Sequence, residues 1–323
     1  MCYVHLQKEQ IKGEKLLDVT QWKQLMEQAV EAGMEKAVLT GGECLTYPGF
    51  RELYLYLQAN GVETSVYTNG ILLDASWVKF FQNHPPAVLQ ISVYGSDENG
   101  YERVTGHRVY QVVMNHLKMA FAAGLAVRAA VTPSAFMGAD AENIICQLAK
   151  EKIPYQINNT LFEPRSETGR EDSVKDLPIE QYIKLFKQKA ALAGVNLTAR
   201  AEAELPPVPN ENRKTVQGIR CAAGRNSFEI TWRGEMRGCA NLQGLNAEPL
   251  KDGVAAAWKK IHAAALQYPV PAQCETCAYR GVCISCPAYH QQLGAPVGRC
   301  SQQVCRRTKR FVAEGLAPYP HCK

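Results

Sequence analysis

The stretch Lys36-Ala-Val-Leu-Thr-Gly-Gly-Glu43 decides the fold. A short apolar run enters two glycines and a carboxylate, which reads as a strand stopping at a turn that carries chemistry. Upstream, residues 20–33 set Trp22, Leu25, Met26, Ala29 and Val30 at helical spacing, with Thr20 as N-cap and Gly33 as stop. Downstream the alternation continues. Residues 50–60 read as a helix, and Glu63-Thr-Ser-Val-Tyr67 as a strand ending at Thr68-Asn69-Gly70. A helix over 75–82 leads to a strand over 88–93, which ends at Tyr94-Gly95. Residues 111–123 read as helix and 126–131 as extended; a helix closing at Lys150 and a strand over 155–162 follow.

Strand–helix units at this rhythm predict a parallel sheet rolled into a full or partial barrel, with ligands at the carboxyl ends of the strands. The segments Gly41-Gly42-Glu43, Thr68-Asn69-Gly70 and Ser92-x-Tyr94-Gly95 all fall on that rim. Each alone is an ordinary turn; three in step on one rim mark a site.

The chain has 323 residues, 46% of them apolar and 21% charged, as expected of a globule that buries a core. No apolar run approaches the ~18–20 residues of a membrane-crossing helix. The net charge is +5, and the basic residues are scattered except for Arg306, Arg307, Lys309 and Arg310, which read as a solvated helix face. Twelve cysteines without a secretory signal point to a cytoplasmic location and to metal ligation.

Eight of those cysteines lie between 221 and 305. They read Cys221-x12-Gly234-x4-Cys239, then Cys274-x2-Cys277-x5-Cys283-x2-Cys286, then Cys300 and Cys305. Two-residue spacers let sulfurs turn to one centre, so the array admits iron–sulfur clusters, a four-thiolate zinc ribbon or, least well, a disulfide framework. Glu202-Ala-Glu204-Leu-Pro-Pro-Val-Pro209 reads as a linker.

Gly41-Gly42-Glu43 closing a strand, the repeated strand–helix units and the cysteine array together resemble the radical S-adenosylmethionine enzymes, and within them the SPASM-domain subgroup. The resemblance covers about residues 1–310 and implies an α/β fold: a partial (β/α)6 barrel lacking its first strand, with a small cysteine-rich SPASM domain after it. The expected divisions are a barrel over 1–200, a linker over 201–215, a SPASM domain over 216–312 and a tail over 313–323.

By that resemblance Gly41, Gly42 and Glu43 would hold the methionine ammonium of the cofactor, while Thr68 and Asn69 would lie near its ribose or methionine part. Ser92 and Arg128 would reach the carboxylate or ribose hydroxyls, a guanidinium being a natural bidentate partner for a carboxylate. Ordinary turn chemistry for Thr68, Asn69 and Ser92, and a structural ion pair for Arg128, remain the alternatives. Cys221, Cys239 and Cys286 would serve a first auxiliary [4Fe–4S] cluster. Cys274, Cys277, Cys283 and Cys305 would serve a second, with Cys300 as competitor for the last place. The Cys283-x2-Cys286 spacing is one residue shorter than the subgroup's usual pattern. Gly234-Glu235 looks like the hairpin turn that presents Cys239.

Cys2 followed by Tyr3 resembles the last cysteine of the radical-cluster motif C-x3-C-x2-C, whose other two cysteines are not in this sequence. A shortened sequence, a degenerate homologue or ligands from a partner would each account for that. The activity implied is hydrogen abstraction by a 5′-deoxyadenosyl radical on a peptide or protein, of ribosomal-peptide maturase type. An electron donor such as flavodoxin or ferredoxin is implied, with no membrane or nucleic acid. A cluster-binding electron carrier is one alternative. A sulfatase-maturing enzyme is another, disfavoured because Ala240 follows Cys239 where those enzymes place Asp. Cys44 falls beside the expected cofactor pocket, Cys146 is expected in the core, and Cys322 is expected to be a bystander. Tyr94 and Tyr101 could touch substrate or simply pack, and no histidine shows metal-ligand spacing.

Overall fold

A computed structural model describes residue 13 and residues 16–162, 176–197, 218–275, 277–283 and 285–316. Cys2, Cys322 and the expected linker lie outside the described residues. The chain divides after Pro178 into two compact units.

The first unit carries the strand–helix alternation. Helix α1 (Val19–Glu31) precedes β1 (Lys36–Leu39), followed by α2 (Phe50–Ala59), β2 (Glu63–Thr68), α3 (Ala75–Asn83) and β3 (Leu89–Val93). Then come α4 (Glu98–Thr105), α5 (Tyr110–Ala122), β4 (Val127–Val131), α6 (Asp140–Lys150) and β5 (Tyr155–Ile157). The strands are parallel and neighbour one another in chain order, β1-β2-β3-β4-β5. That order fits a sheet wound in one direction, as in a barrel; a doubly wound sheet would reverse.

The register sorts side chains by face. Leu39, Val66, Leu89 and Val127 fall in one row, and Thr68, Ile91, Ala129 and Tyr155 in another of the same parity. This is the apolar face under the helices, where Leu39 and Ala37 pack with Met26, Leu53, Leu57 and Val62. Each fully buried aliphatic side chain there contributes roughly 1.5–3 kcal/mol. An aromatic cluster of Phe50, Tyr54, Trp77, Phe80 and Phe81 joins α2 to α3, and the Arg51 guanidinium stacks on Trp77.

Two expectations are corrected and one unread helix is added. The cap of α1 is Asp18, not Thr20: its carboxylate accepts from Gln21 N while the Gln21 side chain accepts from Asp18 N. The last strand ends at Ile157 rather than 162. Asn158 and Asn159 follow, a residue type that bonds locally and leaves ladders. Helix α4 escaped notice because Gly100 interrupts its pattern, yet a Cβ there would stand 2.3 Å from Asp140 Oδ2. Asp140, 9% exposed, accepts from Ser96 Oγ at 2.8 Å and pairs with Arg103, so it ties α4 to α6.

Gly70 closes β2 at φ 78°, with a would-be Cβ 2.8 Å from Ile91 Cγ2. Gly61 has φ 74° and open space. Gly70→Ala is therefore expected to cost about 2–5 kcal/mol, strain plus overpacking, and Gly61→Ala only the ~1–2 kcal/mol of left-handed backbone. Thermal melts of the two variants check the ranking.

The second unit begins with α7 (Ile179–Leu192), a helix beyond the last element read from sequence. A small antiparallel sheet follows, built from β6 (Glu229–Ile230), β7 (Met236–Arg237) and β8 (Asn246–Ala247). Gly234, at φ 82°, turns β6 into β7, and Cys239 follows two residues after β7, as the hairpin reading expected. Helices Val254–Gln267, Pro287–Gln292 and Gln302–Ala313 follow, with shorter helical turns at Pro249–Asp252, Ala272–Glu275 and Ala278–Gly281. The basic cluster is not a uniformly solvated face. Arg307 is 9% exposed, its guanidinium stacks on Tyr182 at 4.4 Å, and it donates to Tyr289 Oη at 3.1 Å. Its neighbours do face outward, and Arg310 pairs with Glu180 and Glu314.

Candidate active site and metal centres

The sheet's other face is polar. Tyr67, Gln90 and Arg128 occupy one row across β2, β3 and β4, and Ser92, Ala130 and Gln156 the next row towards the carboxyl ends. Gln90 Oε1 accepts from Arg128 Nε at 3.2 Å and from its Nη2 at 3.0 Å, and Tyr67 Oη accepts from Nη2 at 3.3 Å. Both acceptors are neutral, and among the described residues Arg128 pairs with no carboxylate. A half-buried guanidinium held in a fixed pose without a counter-charge is suited to receive an anionic ligand group.

At the carboxyl ends of β1 and β2, Glu43 is the joint. Its Oε1 accepts from Thr68 Oγ1 at 2.7 Å and Leu45 N at 3.1 Å, and its Oε2 from Asn69 N at 2.7 Å. Thr68 Oγ1 in turn accepts from Gly70 N at 3.0 Å, and Asn69 Oδ1 from Ile71 N at 2.9 Å. Thr68, 4% exposed, is thus committed in both directions to shaping the rim. The fold brings Gly41, Gly42, Glu43, Thr68 and Asn69 together there, while Ser92 and Arg128 stand on the polar face. Gly41 has φ 141°, and no atom lies within 4 Å of a would-be Cβ at either glycine.

Cys44 is buried beside this joint, its thiol donating to the Tyr67 carbonyl at 3.4 Å. Burial, reinforced by the Glu43 charge, pushes its pKa up, so it is an inert thiol. Cys146 sits on the exposed side of α6, against expectation, because Ala141, Ile144, Ile145 and Leu148 take the buried stripe. Tyr101 packs: it is 2% exposed, donates to the Ser92 carbonyl and meets Tyr94 and Tyr110 edge-on or tilted.

In the second unit the thiols fall into two groups. Burial pushes Cys286 up to about 11, and the charges of Cys239 and Cys221 add to that rise. Cys221 and Cys239 are thus both charged neighbours of Cys286, and Asn241 N donates to Cys239 Sγ at 3.3 Å. In the other group burial raises Cys274, which hydrogen-bonds Cys300 and feels the charges of Cys283, Cys277 and Cys305. Cys300 Sγ stands 3.2 Å from Cys305 Sγ, and Thr308 Oγ1 donates to Cys283 Sγ at 3.4 Å. None of the ten described cysteines forms a disulfide. Among the described residues no three ligating side chains close on a single metal ion. Soft, all-sulfur donor sets in two groups suit iron–sulfur clusters, whose thiolates bind different irons of a larger body.

Sequence reading missed Tyr67, Gln90, Thr308 and His290. The first two were available, since they share Arg128's face once the period-2 pattern is aligned across strands. His290, 4% exposed with its pKa held below the ordinary value by burial, shows nothing in linear spacing.

Residues 1–143 match the family described as the Radical SAM superfamily. A PqqA peptide cyclase of Xanthomonas campestris is 32% identical over 114 residues, 35% of this chain and 29% of that protein. One from Xanthomonas oryzae is 31% identical over 92 residues, 28% of this chain and 25% of that protein. The match therefore spans less than a third of the length of these curated relatives. Among solved structures, Streptococcus suis SuiB bound to S-adenosylmethionine superposes with TM-score 0.67 at 15% identity, covering 90% of this chain and 70% of that one. Native anSMEcpe with bound AdoMet superposes with TM-score 0.70 at 14% identity, covering 96% and 92%. At such identities the structures establish the shared fold. The amino-terminal part of this chain is thus similar in sequence to radical SAM domains.

Proposed function

We propose that this chain is a radical S-adenosylmethionine enzyme acting on a peptide, with auxiliary [4Fe–4S] clusters in its second, SPASM-like unit. The carrying observation is Arg128, fixed by Gln90 and Tyr67 on the polar face with no carboxylate partner among the described residues. When bound, the cofactor supplies a hydrogen-abstracting radical. The protein's part is to seat it. Arg128 receives its carboxylate, Ser92 offers a hydroxyl one row above, and the open backbone at Gly41 and Gly42 accepts its ammonium. Glu43, Thr68 and Asn69 hold that rim rigid.

A peptide substrate is supported by the PqqA peptide cyclase relatives and by the superposition on SuiB bound to precursor peptide SuiA (TM-score 0.67, 16% identity). Cys221, Cys239 and Cys286 would hold one auxiliary cluster, leaving an iron for a distant or exchangeable ligand. Cys274, Cys277, Cys283 and Cys305 would hold the other. A flavodoxin or ferredoxin would supply electrons. Formation of 5′-deoxyadenosine by the anaerobically reconstituted, reduced protein tests the class. Calorimetry tests the seat: Arg128→Leu should weaken S-adenosylmethionine binding at least tenfold, the ~1.5–3 kcal/mol of a charged hydrogen bond. Unchanged affinity would move the cofactor off the polar face.

A further inference from the structure

The second thiol group holds five cysteines where one [4Fe–4S] cluster takes four. The surplus has a structural context. His290, on helix Pro287–Gln292, directs Nδ1 at the backbone N of Ser301 (3.1 Å) and Nε2 at Cys300 Sγ (3.9 Å). A backbone N–H can only donate, so Nδ1 is the acceptor and the ring proton of the neutral imidazole is on Nε2. His290 is therefore a donor to Cys300. It is not an iron ligand, because coordination through Nε2 with Nδ1 already accepting would require an imidazolate.

Cys300, having accepted from His290, still has its S–H to give. The acceptors near it include Ser301 O at 3.6 Å and, closer, Cys305 Sγ at 3.2 Å. Cys274 also hydrogen-bonds Cys300. Cys305 lies in the first turn of the helix Gln302–Ala313, and one turn later Thr308 donates to Cys283 Sγ, so this helix meets the thiol group twice. We propose that Ser301 N–H, His290 and Cys300 form a one-way hydrogen-bond relay ending on the Cys305 thiolate, with Cys300 as a donor to the cluster's ligand sulfur and not itself a ligand. This rests on the cluster reading above. Every step donates in the same direction, from backbone amide to imidazole to thiol to thiolate.

A donor aimed at a ligand sulfur stabilises the extra negative charge of the reduced cluster and so raises its potential. His290 and Cys300 are positioning residues, and the readout is a potential. In reconstituted full-length protein, His290→Leu and Cys300→Ala should keep the wild-type iron and sulfide content. One of the two auxiliary reduction steps followed by electron paramagnetic resonance should become about tenfold less favourable, ~59 mV for one electron, while the other stays in place. His290→Gln and Cys300→Ser keep an N–H or O–H donor and should shift less. Loss of about four irons in Cys300→Ala would make Cys300 a ligand and overturn the relay. Full iron with unmoved potentials in both variants would overturn it too. A wild-type protein that takes up no iron would instead remove the cluster reading beneath it.

Discussion

Cys286→Ala should cut the iron of the anaerobically reconstituted protein by about four atoms per chain, with acid-labile sulfide falling in parallel. The reason is local. Cys286 neighbours Cys221 and Cys239, and its removal leaves two sulfurs, too few to retain a cubane. The other group is untouched by this change, so about four irons should stay. Cys283→Ala is expected to empty most of the other group, since Cys283 is one of its four proposed ligands and the helix-borne Thr308 holds its sulfur in place. Cys305→Ala is the contrasting case: Cys300 lies 3.2 Å away and can take over as ligand, so its iron loss should be partial. Metal analysis decides between chemistries as well as sites. One zinc per chain with no sulfide would replace both clusters by a ribbon, and iron unchanged in Cys286→Ala would dissolve the first group.

The fold was legible because its signals are periodic. Lys36 to Leu39, Glu63 to Thr68 and Val127 to Val131 each end at a turn, and the helices between them carry apolar stripes that survive any register error. What was lost was local. Asp18 outcompeted Thr20 as a cap through a reciprocal bond with Gln21, a pairing that needs both residues considered together. Helix α4 was hidden by Gly100, whose presence is dictated by Asp140, some forty residues further along the chain, where a side chain would collide. Tyr155 to Ile157 stopped early because two asparagines follow.

The site divides the same way. The glycines and Glu43 were visible as a strand-end motif, and the cysteine groups as spacing. The reading placed Glu43 and Thr68 at the cofactor, and the structure adds a hydrogen bond between them that linear spacing does not reveal. Arg128 is expected from the resemblance and from guanidinium chemistry; the row it shares with Gln90 and Tyr67 exists only once three strands are in register. His290 illustrates the limit. Its place beside Cys300 depends on the chain returning a side chain across nine intervening positions, and no linear pattern encodes that.

Glu43→Gln should destabilise the first unit by about 2 kcal/mol and weaken S-adenosylmethionine binding, although it changes one oxygen for one nitrogen. The carboxylate has two oxygens and three N–H or O–H donors facing it, Thr68 Oγ1 and Leu45 N on one oxygen and Asn69 N on the other, with the Cys44 thiol farther off at 3.9 Å. An amide must turn its NH2 towards one side. Towards Asn69 it opposes a backbone N–H, which cannot reverse. Towards Thr68 it opposes Leu45 N, and the threonine hydroxyl is already accepting from Gly70 N. Either rotamer leaves a donor facing a donor. A loss of this size should lower the melting temperature by roughly 4–8 °C. The partner change Thr68→Val removes one of the three donors, so the double variant should cost less than the sum of the singles. Strict additivity would mean that Glu43 and Thr68 do not act together, and the rim would then have to be held by something other than this joint.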